Sequence, residues 1–350
     1  MVASASIVIS ENQYGYPFHY LFRQLFYFGI GMAATIVVLK IRMETWLKLS
    51  VPLLLLCIIL LILVLIPGIG RAVNGSARWL GVGPLRLQVS EIVKLGFIIY
   101  LAGYIVRHPE ELQYQLSGFI KPLIILGVIG VLLLLEPDFG AAVVLMLTAM
   151  AILFLGGARL KQFVVMAAIG VCLIGILAIS SPYRLQRLTS FLNPWANAFS
   201  GGYQLTQALI AFGRGGWIGV GLGESIQKLF YLPEAHTDFI YAVLVEELGL
   251  LGGLIVIALY TLLVIRGLVI ARRSHKVGHL FQAHVAYGIT FWLGLQAMIS
   301  IGVNCGVLPT KGLTLPLMSY GGSSMLVNCI AIALLLRIDY ETRRVRFGLN

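Results

Sequence analysis

Charge is what this chain has least of. Of its 350 residues only 11% are Asp, Glu, Lys or Arg, while 59% are hydrophobic and the mean hydropathy is +0.94. Soluble domains carry roughly 25% charged residues, so a water-soluble globule is excluded, and so is a disordered chain. Acid is scarcer still. There are three aspartates, Asp138, Asp238 and Asp339, and no two lie two positions apart. A DxD metal–nucleotide site of the kind used with sugar nucleotides is therefore excluded. No Gly-Lys dipeptide exists, hence no Walker A loop and no ATP-driven motor, and there is no HExxH zinc motif. The four cysteines, Cys57, Cys172, Cys305 and Cys329, are far apart with no CxxC spacing, which makes them packing residues.

What is present is long apolar runs. A hydrocarbon core needs about 20 apolar residues per helix, and uninterrupted blocks such as Pro52 to Pro67 lack the alternation of an outer-membrane barrel. The fold class expected is all-α, a single polytopic transmembrane bundle. Nine complete spans are read near 21–40, 46–67, 88–106, 119–136, 139–157, 162–180, 239–265, 284–304 and 323–338. Residues 1–9 are apolar but about half a span long, as expected of the remnant of a truncated first helix. Residues 339–350 form a tail.

The net charge of +11 belongs to short loops between spans, so it reports membrane topology rather than a nucleic-acid partner. Placing the C-terminus in the cytoplasm puts 15 of the 25 basic residues inside and nine outside, with Lys94 inside a span. That excess sets the orientation. Seven of the nine outer residues are arginines, whose planar fork suits phosphate. Lipid headgroups are the plainer partner for them.

Two outer segments are long enough for chemistry in water. One is 68–87; the other, 181–238, spans some 58 residues and exceeds a mere connector. Gly213 to Gly223 holds six glycines in eleven residues. Such a stretch either lets backbone amides approach a ligand or turns tightly over the bilayer. It does not fit GxGxxG, which removes a dinucleotide reading. The small-residue run at Gly29–Ala34 reads as a close helix contact.

Acidic residues in or beside spans are costly and become site candidates for that reason. Glu91 and Lys94 stand three apart on one helix and can pair within the bilayer, structurally or functionally. Glu136 and Asp138 flank Pro137, where Asp138 is placed to cap the next helix. Asp238 ends the long outer segment beside His236 and opens the apolar run FIYAVLVEELGLLGG. It is either a helix cap or a general base of raised pKa at the water–membrane boundary. Glu246 and Glu247 lie about 12 Å deeper and need partners inside the bundle.

These motifs carry a resemblance. The run ALIAFGRGGWIGVGLGESIQKLFYLPEAHTDFIYAVLVEELGLLGG, with GVNCGVLPTKGLTLPLMSYGGSS, NGSARW, QVSEIVK and EPDFG, resembles the SEDS proteins of bacterial envelope growth. The PTKGLTLP segment at 309–316 is similar to the division branch rather than the elongation branch.

The resemblance implies a peptidoglycan glycosyltransferase that polymerises lipid II at the outer face of the inner membrane, with release of undecaprenyl diphosphate. It implies Asp238 as the catalytic carboxylate and Glu91 with Lys94 as a supporting intramembrane pair. The expected pool for diphosphate and substrate contacts is Arg71, Arg78, Arg184, Arg187, Arg214, Lys311 and His236. A divalent cation, Mg2+ or Mn2+, is the one cofactor contemplated. A class B penicillin-binding protein and divisome regulators are the implied protein partners. The competing classes are a lipid II flippase and a non-catalytic scaffold. A flippase should hold its charges near the midplane, whereas here most of the non-cytoplasmic cations lie in outer loops.

Overall fold

The computed structural model describes residues 1–73, 76–82, 85–179, 191–199, 201–309 and 312–346. Helices dominate: α1 Val2–Tyr14, α2 His19–Lys40, α3 Met43–Leu65, α4 Val89–Arg107, α5 Pro109–Tyr114, α6 Leu116–Leu135, α7 Phe139–Leu155, α8 Leu160–Ile179, α9 Tyr203–Gly215, α10 Ile240–Lys276, α11 Leu280–Asn304 and α12 Gly322–Arg346. Among the described residues seven of these (α2, α3, α4, α6, α10, α11 and α12) are long and apolar enough to cross a membrane. The other two expected spans fall on α7, with 17 residues, and α8, with 20.

The chain divides into two compact units. The larger comprises Tyr27–Val164, Leu263–Leu295 and Gly322–Asn350. Its centre is α4, with 16 of 19 residues buried, packed against α3 and α7. Such a helix is apolar nearly all round because protein surrounds it. On α3 and α6, by contrast, Leu55, Ile59, Ile124 and Val131 point outward, as lipid-facing helices require. Of the Gly29–Ala34 run, Gly31 makes the expected close contact, since a Cβ there would stand 2.9 Å from Sγ of Cys329, whereas Gly29 has open space around it. Asp138 caps α7 through the Ala141 amide at 3.2 Å and accepts the Ser90 hydroxyl at 2.8 Å.

The all-α expectation needs one correction. Three strands, β1 Arg71–Val73, β2 Ser76–Val82 and β3 Leu85–Gln88, form an antiparallel sheet in the order β1-β2-β3. Trp79 pairs with Gln88 and Leu80 with Leu87 in its second ladder. The strands are three to seven residues long, far below the length that a search for membrane spans detects. Asn74-Gly75 and Gly83-Pro84, the dipeptides between them, are hairpin and turn signals.

The second unit comprises Met1–Phe26, Val165–Leu262 and Gln296–Gly321. Its core gathers Ala5, Ala208, Ala211, Leu232, Phe239, Tyr241, Leu244, Val303 and Leu315. The long outer segment is partly helical, because α9 is amphipathic and buries Leu205, Ala208 and Ala211 against this core. Residues 180–190, with Arg184 and Arg187, lie outside the described residues.

Candidate active site

Asp238 sits two residues before the start of α10, in a run of turns organised by one carbonyl. The Glu234 oxygen accepts from the amides of Thr237, Asp238 and Phe239 at 3.1–3.2 Å. Glu234 itself holds a positive φ of 57°, a conformation that L residues adopt at a cost. Its carboxylate accepts the Thr237 hydroxyl at 2.7 Å. The backbone bearing the aspartate is thus fixed from its N-terminal side.

It is fixed from the other side by Asn304, the last residue of α11. The Asn304 Nδ2 donates to the Asp238 carbonyl at 2.9 Å, and its Oδ1 accepts from the Ala242 amide at 3.1 Å. An asparagine from another helix therefore supplies a cap to the first turn of α10. Above the carboxylate passes Gly312, close enough that a Cβ there would stand 3.0 Å from Oδ2 of Asp238. The segment after Gly312 is stitched to the same turn. Ser319 Oγ donates to the Thr237 carbonyl at 2.5 Å, and the Tyr320 amide donates to the His236 carbonyl at 2.9 Å.

His236 is buried between the rings of Tyr20 and Tyr320, with centroids 5.0 and 5.7 Å away. Burial pushes its pKa below the ordinary histidine value, opposed by the nearby Glu234 carboxylate. Its imidazole is accordingly neutral at pH 7, and Nδ1 has no hydrogen-bond partner among the described residues.

The glycine-rich segment packs on backbone. A break at Gly249 (φ 71°, ψ −175°) interrupts α10, and the segment docks there. Val220 and Gly221 donate to the carbonyls of Glu246 and Glu247, both at 3.0 Å, and Leu250 donates to Gly216 at 2.9 Å. A Cβ on Gly219 would meet the Glu247 oxygen at 2.2 Å, so only glycine permits this approach. These amides are spent on protein carbonyls, which answers the choice between a ligand cradle and a tight turn in favour of the turn.

Glu246 and Glu247 find their partners in the same segment. Glu246 accepts from Arg214 Nη1 and the Ile226 amide, both at 3.0 Å, and from the Ser225 hydroxyl. Glu247 accepts from Lys228 Nζ at 2.8 Å and from the Ser4 hydroxyl at 2.5 Å. Arg214, expected among the diphosphate contacts, thus braces a buried carboxylate.

In the larger unit, Arg78 hydrogen-bonds the backbone carbonyls of Glu136 and Pro137, the former at 3.0 Å, tying β2 to the turn between α6 and α7. Arg71 is exposed on β1. Glu91 and Lys94 pair at 2.8 Å, both buried, with the ammonium 5.2 Å from the Trp292 ring centroid. Lys311 lies outside the described residues. Sequence reasoning missed Asn304, Gly312 and Ser319. Asn304 left the one available signal, a polar residue inside an apolar span.

Among the described residues no three His, Cys, Asp or Glu side chains converge to hold a metal ion. A divalent cation beside Asp238 would have to take most of its oxygen ligands from elsewhere, so the described acidic, histidine and cysteine side chains alone do not make a metal site.

Seven helices among the described residues that are long and apolar enough to cross a membrane define the class, a polytopic helical membrane protein. The chain belongs to the FtsW/RodA/SpoVE family of cell cycle proteins, whose model matches residues 1–344. With its apolar helices, that membership makes it a multi-pass inner-membrane protein. It is 57% identical to the probable peptidoglycan glycosyltransferase FtsW of Legionella pneumophila, over 100% of this chain and 89% of the relative. The protein of the same name from Nitrosococcus halophilus is 58% identical over 98% of this chain and 88% of its own. A solved structure described as showing structural coordination of polymerization and crosslinking by a peptidoglycan synthase complex matches with a TM-score of 0.77. It is 26% identical and covers 97% of this chain and 95% of its own. The crystal structure of the rod shape determining protein RodA from Thermus thermophilus matches at 0.68, also at 26% identity, covering 97% of this chain and 93% of its own.

Proposed function

We propose that this chain is a peptidoglycan glycosyltransferase that polymerises lipid II into glycan strands for septal wall synthesis. Relatives above 50% identity named FtsW, against 26% for the RodA structure, support the division branch. The observation that carries the chemistry is the Asp238 carboxylate, whose backbone is held by Glu234 on one side and Asn304 on the other.

In this reading Asp238 takes the proton from the 4-hydroxyl of the acceptor GlcNAc as that oxygen attacks the anomeric carbon of the donor MurNAc. The C–O bond to the diphosphate breaks and undecaprenyl diphosphate leaves. An α-linked donor giving a β-1,4 link requires inversion, hence one displacement and no covalent intermediate. His236, packed between Tyr20 and Tyr320, stands two residues from Asp238 in the same run of turns. Arg184, Arg187 and Lys311, in the same unit as Asp238, are the candidates to offset charge developing on the leaving diphosphate, while Arg71 is an exposed cation of the larger unit. Arg78 and Arg214 act as braces, and the Glu91–Lys94 pair stabilises the larger unit from within. The orientation follows the excess of inner basic residues, with the C-terminus cytoplasmic and Asp238 at the outer face. A class B penicillin-binding protein is the partner that would crosslink the strands.

The test uses purified protein with its transpeptidase partner and labelled lipid II, comparing wild type with Asp238→Asn for strands on a gel. Strands from the wild type and none from a folded variant are expected. Equal synthesis by both would reduce Asp238 to a structural residue and turn the search to Glu234. If neither makes strands, lipid II flipping in vesicles becomes the reading to test.

A further inference from the structure

A cavity of about 650 Å³ opens between the last turns of α10 and α12. Both of these helix ends belong to the larger unit, and the chemistry proposed above makes no use of them. Among the described residues the polar lining is Arg266, Arg273, Lys276, Arg343, Arg346 and Thr342, five cations and one hydroxyl, with no carboxylate. The spacing explains the convergence. Arg266, Arg273 and Lys276 recur at seven and three residues, one stripe of α10 over about 15 Å. On α12, Arg346 follows Thr342 by four residues and Arg343 by three, the spacings that make helix-surface neighbours.

Helix dipoles and the topology rule account for basic residues near these ends. They do not account for five of them facing one cavity. Nor do they account for Thr342, which is 2% exposed, with an Oγ1 that has no hydrogen-bond partner among the described residues. The carboxylates nearest in sequence are committed. Asp339 pairs with Arg343 at 2.7 Å, and Glu341 pairs with Arg337 at 2.8 Å while accepting from Gln282 at 2.8 Å. Asp339 thus offsets Arg343, itself one of the five, and leaves Arg266, Arg273, Lys276 and Arg346 with no ion-pair partner among the described residues. The cavity therefore keeps an excess of positive charge, and it fits an anion.

We infer that this cavity holds the phosphate-bearing headgroup of an anionic phospholipid. Arginine forks and a buried hydroxyl are the donors that phosphate oxygens accept from. The walls are the ends of two helices apolar enough to cross a membrane, so the cavity lies at headgroup level, where basic pockets between spans take acidic lipids. Tyr340, 52% exposed and stacked under Arg337, marks the same interface. Exposed Ile265 and Leu336, within two turns of the cations, offer the acyl chains an apolar path. A bound headgroup neutralises repulsion between the four cations that lack an ion-pair partner among the described residues and ties the two helix ends together.

The test measures binding of fluorescent short-chain phosphatidylglycerol to the full-length protein in neutral detergent, beside phosphatidylcholine with the same tails. Saturable binding of the anionic lipid is expected, with the zwitterionic one about tenfold weaker or more. Arg273→Gln with Lys276→Gln should weaken phosphatidylglycerol about tenfold. Lys48→Gln with Lys161→Gln, which removes two exposed charges elsewhere, should leave it unchanged. Gel filtration verifies folding, and Arg346→Gln alone, in the exposed last turn, gives a milder loss should the double variant misfold. Equal binding of both lipids, or equal losses from the two double variants, overturns the inference. So does inorganic phosphate binding as tightly as the lipid, which would make this a site for free phosphate. No lipid II enters the assay, so this outcome and that of the polymerase test are independent.

Discussion

Gly312 lies against the carboxylate of Asp238 so closely that a methyl group on it would stand 3.0 Å from Oδ2. That is tighter than ordinary van der Waals contact, so either the loop or the carboxylate must yield by a few tenths of an ångström. Small displacements of a catalytic group are expensive, since about 1 Å can cost a hundredfold in rate. Gly312→Ala should therefore cut strand synthesis about tenfold with little change in thermal stability, and Gly312→Val should cut it further. Strand yield on gels, beside melting in detergent, checks this. Full activity in Gly312→Val would mean that the carboxylate does not work from this position.

Asn304 joins two jobs. Its Oδ1 caps the Ala242 amide and its Nδ2 holds the Asp238 carbonyl. Asn304→Ala loses both, and a lost cap costs about 1 kcal/mol, so a fall in melting temperature with a fall in activity is expected. Asn304→Asp keeps the acceptor for Ala242 and loses the donor to Asp238. Asn304 is fully buried, so that carboxylate would face the Asp238 and Ser300 carbonyls with no donor between them. The variant should lose stability and activity at neutral pH and regain stability on acidification, where a protonated carboxyl can donate again. If Asn304→Asp is as active as wild type, the asparagine only caps.

The apolar blocks made most helices legible, because roughly twenty residues without charge have few alternatives to spanning a bilayer. Asp138 was legible as a cap for a similar reason, since EPDFG contains its own break and its own cap. Glu246 and Glu247 announced a need for partners, but the partners could not be read. Arg214, Ser225 and Lys228 reach them only because the glycine segment docks on the break at Gly249. Nothing local distinguishes that glycine from its neighbours Gly252 and Gly253, which stay helical. The sheet at 71–88 was overlooked because its strands are short, although Asn74-Gly75 advertised a hairpin. Asn304 as a cap in trans and Gly312 over the carboxylate are products of tertiary folding, and no periodicity encodes them.

Lys228 and Glu247 form a buried pair, with side chains 6% and 0% exposed at 2.8 Å. Removing one charge strands the other, which costs about 3 kcal/mol or more, whereas replacing both by apolar residues of similar size is close to neutral. Glu247→Gln should therefore destabilise the protein strongly. Glu247→Leu combined with Lys228→Met should recover much of the loss. Unfolding midpoints in detergent decide the matter. A double variant no better than Glu247→Gln would show that the hydrogen bonds to Ser4 and the Gly223 carbonyl contribute more than the ion pair.

Glu136 gives the molecule a pH dependence of definite sign. It is fully buried between α6 and α7, neither carboxyl oxygen has a hydrogen-bond partner among the described residues, and burial together with Asp138 raises its pKa to about 8, against the pull of Arg78. In the unfolded chain it titrates near an ordinary glutamate value of about 4.3. Between these two values the folded protein binds the proton that the unfolded chain has lost, so stability falls as pH rises, by at most about 1.4 kcal/mol per pH unit. Above the folded pKa the slope vanishes, and below the unfolded one the contribution is fully present. Glu136→Gln keeps a neutral side chain of the same shape at every pH. It should flatten the decline and melt higher than wild type at pH 8, with the two proteins converging near pH 4. Melting curves across that range test this, and parallel slopes for the two proteins would place the titrating group elsewhere.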